Sequence, residues 1–192
     1  MSVEISLVTD SKRTCSNCQL CCKLLPMPEL QKQANERCRH QKFGVGCAIY
    51  SKRPMSCAVW SCRWLLNQDT ADLRRPDRSH YVIDMMPDSI EIVNNETGAR
   101  IEFFVIQVWV DPKYPNAHRD PALRAYLMRR ADQDAMPAMI RYGSQHGFVL
   151  FAPSLSVTGD WCEAGHDSFD KGYKSFVGRI HDLAEARRKE KA

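Results

Sequence analysis

Residues 100–110 read Arg100-Ile-Glu-Phe-Phe-Val-Ile-Gln-Val-Trp-Val110, and their near-continuous apolar character from Phe103 onward predicts a central β-strand. The apolar run is eight residues long and is interrupted by Gln107, far short of the roughly 20 that cross a bilayer as a helix. Upstream, Tyr81 to Met86 and Ser89 to Val93 are rich in β-formers, and the turn-like Asn94-Asn95-Glu96-Thr97-Gly98 leads into the central strand. Downstream, a loop containing Pro112 and Pro115 precedes a helix from about Pro121 to Asp132, with proline in its first turn and Leu123, Tyr126 and Leu127 on one face. Met139, Ile140 and Tyr142 fit either period. A strand over 136–142 is preferred, paired across Gly143-Ser-Gln-His-Gly147 with Phe148 to Ala152, because two glycines bracket that loop. Asp170 to Lys191 carries Phe176, Ile180 and Leu183 at helical spacing with a basic end. This order of elements is that of an α+β fold: a small antiparallel sheet with helices.

The chain has 192 residues, 44% of them hydrophobic and 26% charged, which suits a soluble globular protein and excludes a disordered, collagen-like or coiled-coil chain. Four regions follow from composition: a cysteine-rich module over 1–66, a polar linker over 67–80, a small α+β domain over 81–170 and a basic C-terminal helix over 171–192. The start, MSVEISLVTDSKRT, has neither the basic n-region nor the apolar h-region of a secretory signal, so a cytoplasmic location is expected, with no membrane partner.

Of nine cysteines, eight (Cys15, Cys18, Cys21, Cys22, Cys38, Cys47, Cys57 and Cys62) lie between residues 15 and 62. In a reducing compartment that density points to metal ligation and not to a disulfide framework. Residues 1–66 hold ten Lys/Arg against four Asp/Glu, a balance of +6 that eight thiolates would turn to 6 − 8 = −2. The basic residues therefore read as local compensation for sulfur anions, although a basic surface that attracts phosphates is the alternative. Residues 67–170 hold ten Lys/Arg against sixteen Asp/Glu, which disfavours broad contact with nucleic acid.

Cys15-x-x-Cys18-x-x-Cys21 places three thiols on one tight loop. Two kinds of centre suit it: tetrahedral zinc, or an iron–sulfur cluster of the 4Fe–4S kind with three ligands from the loop and one from far away, and spacing alone does not choose between them. Adjacent residues of an extended chain point to opposite sides, so Cys21 and Cys22 are not expected to serve one metal atom. Eight cysteines then divide into two four-ligand sites, or into one centre plus other thiols. His40, two residues after Cys38, is an alternate ligand candidate or a surface residue.

The string Cys15-x-x-Cys18-x-x-Cys21-Cys22, followed by Gly46-Cys47-x-Ile49-Tyr50-x-x-Arg53-Pro54-x-x-Cys57, resembles the CxxCxxCC cysteine-cluster family of zinc- or iron-chelating domains, to which flagellin lysine N-methylase belongs. The resemblance spans about residues 15–64. It implies metal binding through Cys15, Cys18, Cys21, Cys22, Cys38, Cys47 and Cys57, to which spacing adds Cys62, and it suggests an iron–sulfur cluster for the methylase member. It does not imply methylation here, because no glycine-rich loop for S-adenosylmethionine follows a strand and the Cys-x-x-x-Cys-x-x-Cys of radical enzymes is absent. Arg53, held extended by Pro54, is expected beside the thiolates, and Tyr50, Trp60 and Trp64 are bulky enough to shield a centre from water or to form the module's core.

Other signals are weaker. His118-Arg119-Asp120 spells a kinase tripeptide with none of the other kinase motifs. Cys162, Glu163 and His166 lie near Asp160 without a third catalytic partner, and Asp84, Asp111 and His118 are candidates to line a pocket beside the sheet. The basic end, Arg187-Arg188-Lys189-Glu190-Lys191, reads as a solvated helix terminus. The expectation is a metalloprotein with one or two iron–sulfur or zinc centres, in redox or protein-modification chemistry with an unidentified protein partner or substrate. Its alternatives are a zinc-stabilised module that binds protein or nucleic acid, and a metal carrier or sensor. Catalytic residues do not stand out.

Overall fold

The computed structural model describes residues 13–85, 88–93, 97–156 and 158–165. The expected C-terminal helix over 171–192 and His166 lie outside the described residues.

The N-terminal third is built from single turns. Helix α1 (Leu20–Leu24) leads to a 3-10 turn, Pro28–Leu30. The turn does not continue as a helix, because Gln31 and Asn35 take left-handed conformations, with φ of 53° and 64°, that stop propagation. Strands β1 (Gln41–Lys42) and β2 (Gly46–Cys47) form a two-stranded antiparallel hairpin. Helices α2 (Met55–Val59), α3 (Arg63–Leu66) and α4 (Pro76–Ser79) follow, each about one turn long. The stretch 67–80, expected as a linker, is folded onto the rest: it holds a 3-10 turn at Gln68–Thr70 together with α4, and Thr70, Leu73 and Ser79 are buried. Its polar composition hides this, because Thr70 is buried with its hydroxyl bonded to Asn67 O at 2.7 Å, while Leu73 O accepts from Trp64 Nε1 at 3.0 Å.

The second part is a six-stranded mixed sheet formed by β3 (Tyr81–Ile83), β4 (Asp88–Val93), β5 (Arg100–Val110), β6 (Ala138–Arg141), β7 (Gly147–Phe151) and β8 (Cys162–Ala164). As expected, β5 is central: β3 and β4 pair antiparallel along one edge and β6 lies on the other. The hairpin from β6 to β7 also forms, in the register Ala138↔Leu150 to Arg141↔Gly147. One junction departs from an all-antiparallel sheet. Strands β5 and β6 are parallel because the chain between them crosses over through helix α5 (Pro121–Asp134). Cys162 sits in the edge strand β8. The fold class is α+β.

Helix α5 starts at Asp120, whose side chain accepts from Ala122 N at 2.9 Å, and ends at Ala135 with φ of 55°. Its buried Leu123, Tyr126 and Leu127 cover one face of the sheet, against Tyr81, Ile83, Val108, Val110 and Ile140. On the other face the cross-strand neighbours Val82 and Trp109 receive Leu20, Leu24 and Cys62. Burying Leu24 there, at 0% exposure, contributes about 1.5–3 kcal/mol and fixes α1 against the sheet. A β-bridge between Cys62 and Asp84 and an ion pair between Lys23 and Asp111 at 2.5 Å join the two parts further. Among the described residues no helix is long and apolar enough to cross a membrane.

Candidate metal centre

The first cysteines are set by a tight turn, with Cys18 N donating to Cys15 O at 2.7 Å and Ser16 in a left-handed conformation. Cys21 and Cys22 then fall within α1, so they are not extended and opposed but about 100° apart around a helix. Leu20 and Leu24, buried on the sheet, fix the rotation of that helix and with it the directions of both thiols.

The remaining cysteines are brought to this turn by backbone and amide contacts. Cys38 N donates to Cys22 O at 3.2 Å. Gln19 Nε2 donates to the carbonyls of Lys42 and Gly46, and Gln41 Nε2 donates to Gln19 Oε1 at 2.7 Å, which ties the hairpin carrying Cys47 to the first loop. Gly46, at φ of 131°, lies so close that a Cβ there would stand 3.5 Å from Ser16 O. Cys57 sits in α2, its Sγ 3.6 Å from Met27 Sδ, and Cys62 precedes α3 in the core.

All nine cysteines are free thiols. The charges of the clustered eight act on one another. Cys62 is affected by Cys15 and Cys18, and Cys21 by Cys62 and Cys15. Cys57 is affected by Cys22, Cys38 and Cys47. The two groups meet at Cys22, which is hydrogen-bonded to Cys21 and faces Cys15. Among the described residues no three Cys, His, Asp or Glu side chains are placed to hold one ion, so this grouping is one of proximity and not of coordination geometry.

The electrostatics follow from crowding sulfur in a partly dry space. Burial pushes the Cys62 thiol up to about 12 and raises Cys15, Cys18 and Cys57, with neighbouring thiols adding to it. Cys21 is raised well above the ordinary value by its hydrogen bond to Cys22 and by burial. The same hydrogen bond, helped by Lys32 and Arg53, brings Cys22 down to about 7.

Among the described residues, Arg53, Lys32 and Arg75 stand near the thiols. Arg53 does so as expected: its Nε donates to Tyr50 O at 2.9 Å, its guanidinium lies 3.8 Å from the Tyr50 ring centroid, and its charge acts on Cys15 and Cys22. Lys32 and Arg75 were not singled out from the sequence. Lys32 is 7% exposed, donates to Lys23 O and Gln33 O at 3.1 Å and to Leu25 O, and faces Cys38 and Cys22. Arg75, oriented by Asp77 through bonds of 2.6 and 2.7 Å, acts on Cys15 and Cys18. No spacing rule marks either residue, because what matters is which carbonyls or carboxylate the fold places around them.

Trp60 and Trp64 pack against Leu20, Leu24, Cys62, Val82 and Trp109, whereas Tyr50 is 60% exposed. His40 is held through its carbonyl, which accepts from Ala48 N at 2.8 Å. Asp84, Asp111 and His118 do not share a pocket. Asp84 accepts from Trp60 Nε1 at 2.7 Å, Asp111 pairs with Lys23, and His118 is buried beside Tyr142 and Pro115 O, with Nε2 3.3 Å from Glu163 Oε1. Within His118-Arg119-Asp120, the aspartate is the cap of α5.

A donor set of sulfur alone favours thiophilic ions, zinc or iron–sulfur clusters, over hard cations, and in that chemical respect the residues fit such a group. No family model, curated protein or solved structure matches this chain.

Proposed function

We propose that this protein is a cytoplasmic metalloprotein whose eight N-terminal cysteines, Cys15, Cys18, Cys21, Cys22, Cys38, Cys47, Cys57 and Cys62, hold an iron–sulfur cluster or zinc, in redox or protein-modification chemistry. The observation that supports it most is the gathering of these unpaired thiols from separate stretches of chain beside Lys32, Arg53 and Arg75. Free thiols crowded this way repel one another when ionised, and a bound cation reverses the sign of that interaction. The resemblance to the CxxCxxCC family points the same way.

When bound, an iron–sulfur cluster supplies one-electron chemistry and zinc supplies structural cross-linking. The chain's own residues have defined parts. Leu20, Leu24, Trp60 and Trp64 exclude water on the side facing the sheet. Lys32, Arg53 and Arg75 offset thiolate charge. Trp60, bonded to Asp84, holds the segment between α2 and α3, and thus Cys57 and Cys62, on the sheet edge.

A second reading, a zinc-stabilised module that binds another protein, is favoured by one feature: Phe43, Val45, Tyr50, Met55 and Val59 are all at least 60% exposed. Anaerobic purification, metal analysis and an optical spectrum test both. A brown protein absorbing near ~400 nm that bleaches with dithionite supports the redox reading, since iron–thiolate charge transfer lies there. A colourless protein with stoichiometric zinc supports the second. A protein without metal, or with the cysteines joined as disulfides, overturns both.

A further inference from the structure

We propose that the tip of the β1–β2 hairpin, with Phe43 and Val45 at its turn and Lys42 and Arg37 beside them, docks peripherally on the surface of an anionic lipid bilayer. The inference goes beyond the metal-binding reading and does not depend on which ion the cysteines hold.

The turn projects from the module. Val45 N donates to Lys42 O at 3.0 Å, closing a four-residue turn with Phe43 and Gly44 at its corners, and Gly44 takes the left-handed φ of 70° that suits the second corner. A Cβ on Gly44 would meet nothing within 4 Å, so the tip stands in open space. Phe43 is 82% exposed and Val45 73%. At the base, the buried Gln19 donates through Nε2 to the carbonyls of Lys42 and Gly46, which holds the protrusion to the first cysteine loop. Two apolar side chains are thus kept in water on an anchored turn, and a medium that removes them from water is favoured by the hydrophobic effect.

Charge identifies that medium. Residues 37–68 contain six Lys/Arg and no Asp or Glu. Arg53 acts on Cys15 and Cys22, and Arg63 pairs with Asp69 at 3.3 Å. Arg37, Arg39, Lys42 and Lys52 are exposed and make no ion pair among the described residues. Glu36, the nearest acid in sequence, accepts from Gln33 N at 3.0 Å. The Arg37 guanidinium lies 5.8 Å from the Phe43 ring centroid, so cation and apolar surface share the tip. An anionic bilayer complements both: headgroups take the cations, and the acyl boundary takes Phe43 and Val45 without a preformed cavity for a convex tip. Nucleobases could stack on Phe43 but leave the exposed Val45 without a counterpart. Contact in the interface plane needs neither a spanning segment nor a secretory signal, the features on which the expectation of no membrane partner rests. Cys47 closes the same hairpin, so docking carries the thiol cluster to the headgroup surface.

The test mixes the full chain, as purified with its metal, with sedimentable vesicles of phosphatidylcholine alone or with about 30% phosphatidylserine, at about 0.1 M salt. Binding to the anionic vesicles is expected, with little to the neutral ones and a steep loss at about 0.5 M salt. Phe43→Ser is expected to weaken binding about tenfold or more, through loss of an inserted aromatic side chain, and Lys42→Gln about fivefold, the share of one cation near a charged surface. Both side chains are exposed, so wild-type urea midpoints and metal content are expected in the two variants and separate lost docking from lost folding. In Phe43→Trp, lipids brominated on their acyl chains are expected to quench the added emission, and bound protein that stays unquenched refutes insertion. Wild-type protein that does not sediment with the anionic vesicles overturns the proposal. So does binding that a folded Phe43→Ser leaves unchanged, because attachment is then by charge alone. An oligothymidylate bound in place of the vesicles assigns the surface to nucleic acid and equally overturns it. Metal analysis of the same preparation scores the metal-binding reading separately.

Discussion

Asp111→Asn probes whether the cysteine module and the sheet are one folded unit. Lys23 Nζ lies 2.5 Å from Asp111 Oδ2, with side-chain exposures of 17% and 5%. At an effective dielectric of about 20 the Coulomb attraction at that separation is about 6–7 kcal/mol, most of it offset by the desolvation of both ions. The measurable quantity is what remains when one partner goes. Breaking a buried pair costs about 3–5 kcal/mol, and because Lys23 keeps partial access to water through a flexible stem, Asp111→Asn falls at or below the lower bound, about 2–3 kcal/mol. Asparagine keeps the Oδ1 acceptor for Lys113 N, bonded at 3.0 Å, so the turn after β5 survives and the loss is that of the Lys23 ion pair together with its hydrogen bond. Lys23→Met strands a carboxylate that is 5% exposed and is expected to cost more, about 3–5 kcal/mol. The double variant should recover part of both losses, a coupling of about 2 kcal/mol. Urea unfolding at equal metal content reads all four proteins. A midpoint for Asp111→Asn that differs from wild type by less than about 0.5 kcal/mol would falsify the claim that this pair clamps α1 to β5.

Trp60→Phe removes a 2.7 Å bond to the buried Asp84 carboxylate and is expected to cost about 1.5–3 kcal/mol in thermal unfolding. Trp109→Phe, whose indole N–H is buried without an acceptor among the described residues, should cost less, and the reverse order would count against the hydrogen bond as the cause. Gly147→Ala places a Cβ 2.3 Å from Ile140 O, a backbone atom of the paired strand, so a loss of about 1–3 kcal/mol is expected in denaturant unfolding and an unchanged midpoint would contradict the register. Metal-stripped protein should lose stability in alkali. Cys62, raised to about 12, and Tyr126, raised by burial, hold their protons in the folded chain after the unfolded chain has released them. Their contribution is full below about pH 9 and declines as pH rises toward 12, so urea midpoints that stay flat or increase from pH 8 to 11 would exclude it.

The elements that sequence reasoning placed well carry their own pattern. Strand β5 is an apolar run, the β6–β7 hairpin is bracketed by glycines, and α5 begins at Asp120-Pro121 with Leu123, Tyr126 and Leu127 on one face. Those it missed lack one. The stretch 67–80 is polar by composition, yet Thr70 is buried through a local hydrogen bond, and the parallel junction of β5 with β6 depends on where α5 returns. Of the cations beside the thiols, Arg53 was legible from its place before Pro54. Lys32 was not, because a buried lysine is defined by the carbonyls of Lys23, Leu25 and Gln33 that the chain folds around it.

By itself the sequence determined the chemistry on offer: a dense run of thiols, in a module too poor in aliphatic residues to build a large core, followed by strands and a helix readable from their periods. Only the tertiary structure decided which thiols are neighbours. Cys21 and Cys62 pack into one cluster because Leu20, Leu24 and Cys62 are buried on one face of a sheet whose strands lie beyond residue 80. That contact is a property of packing between distant segments, and no local spacing encodes it.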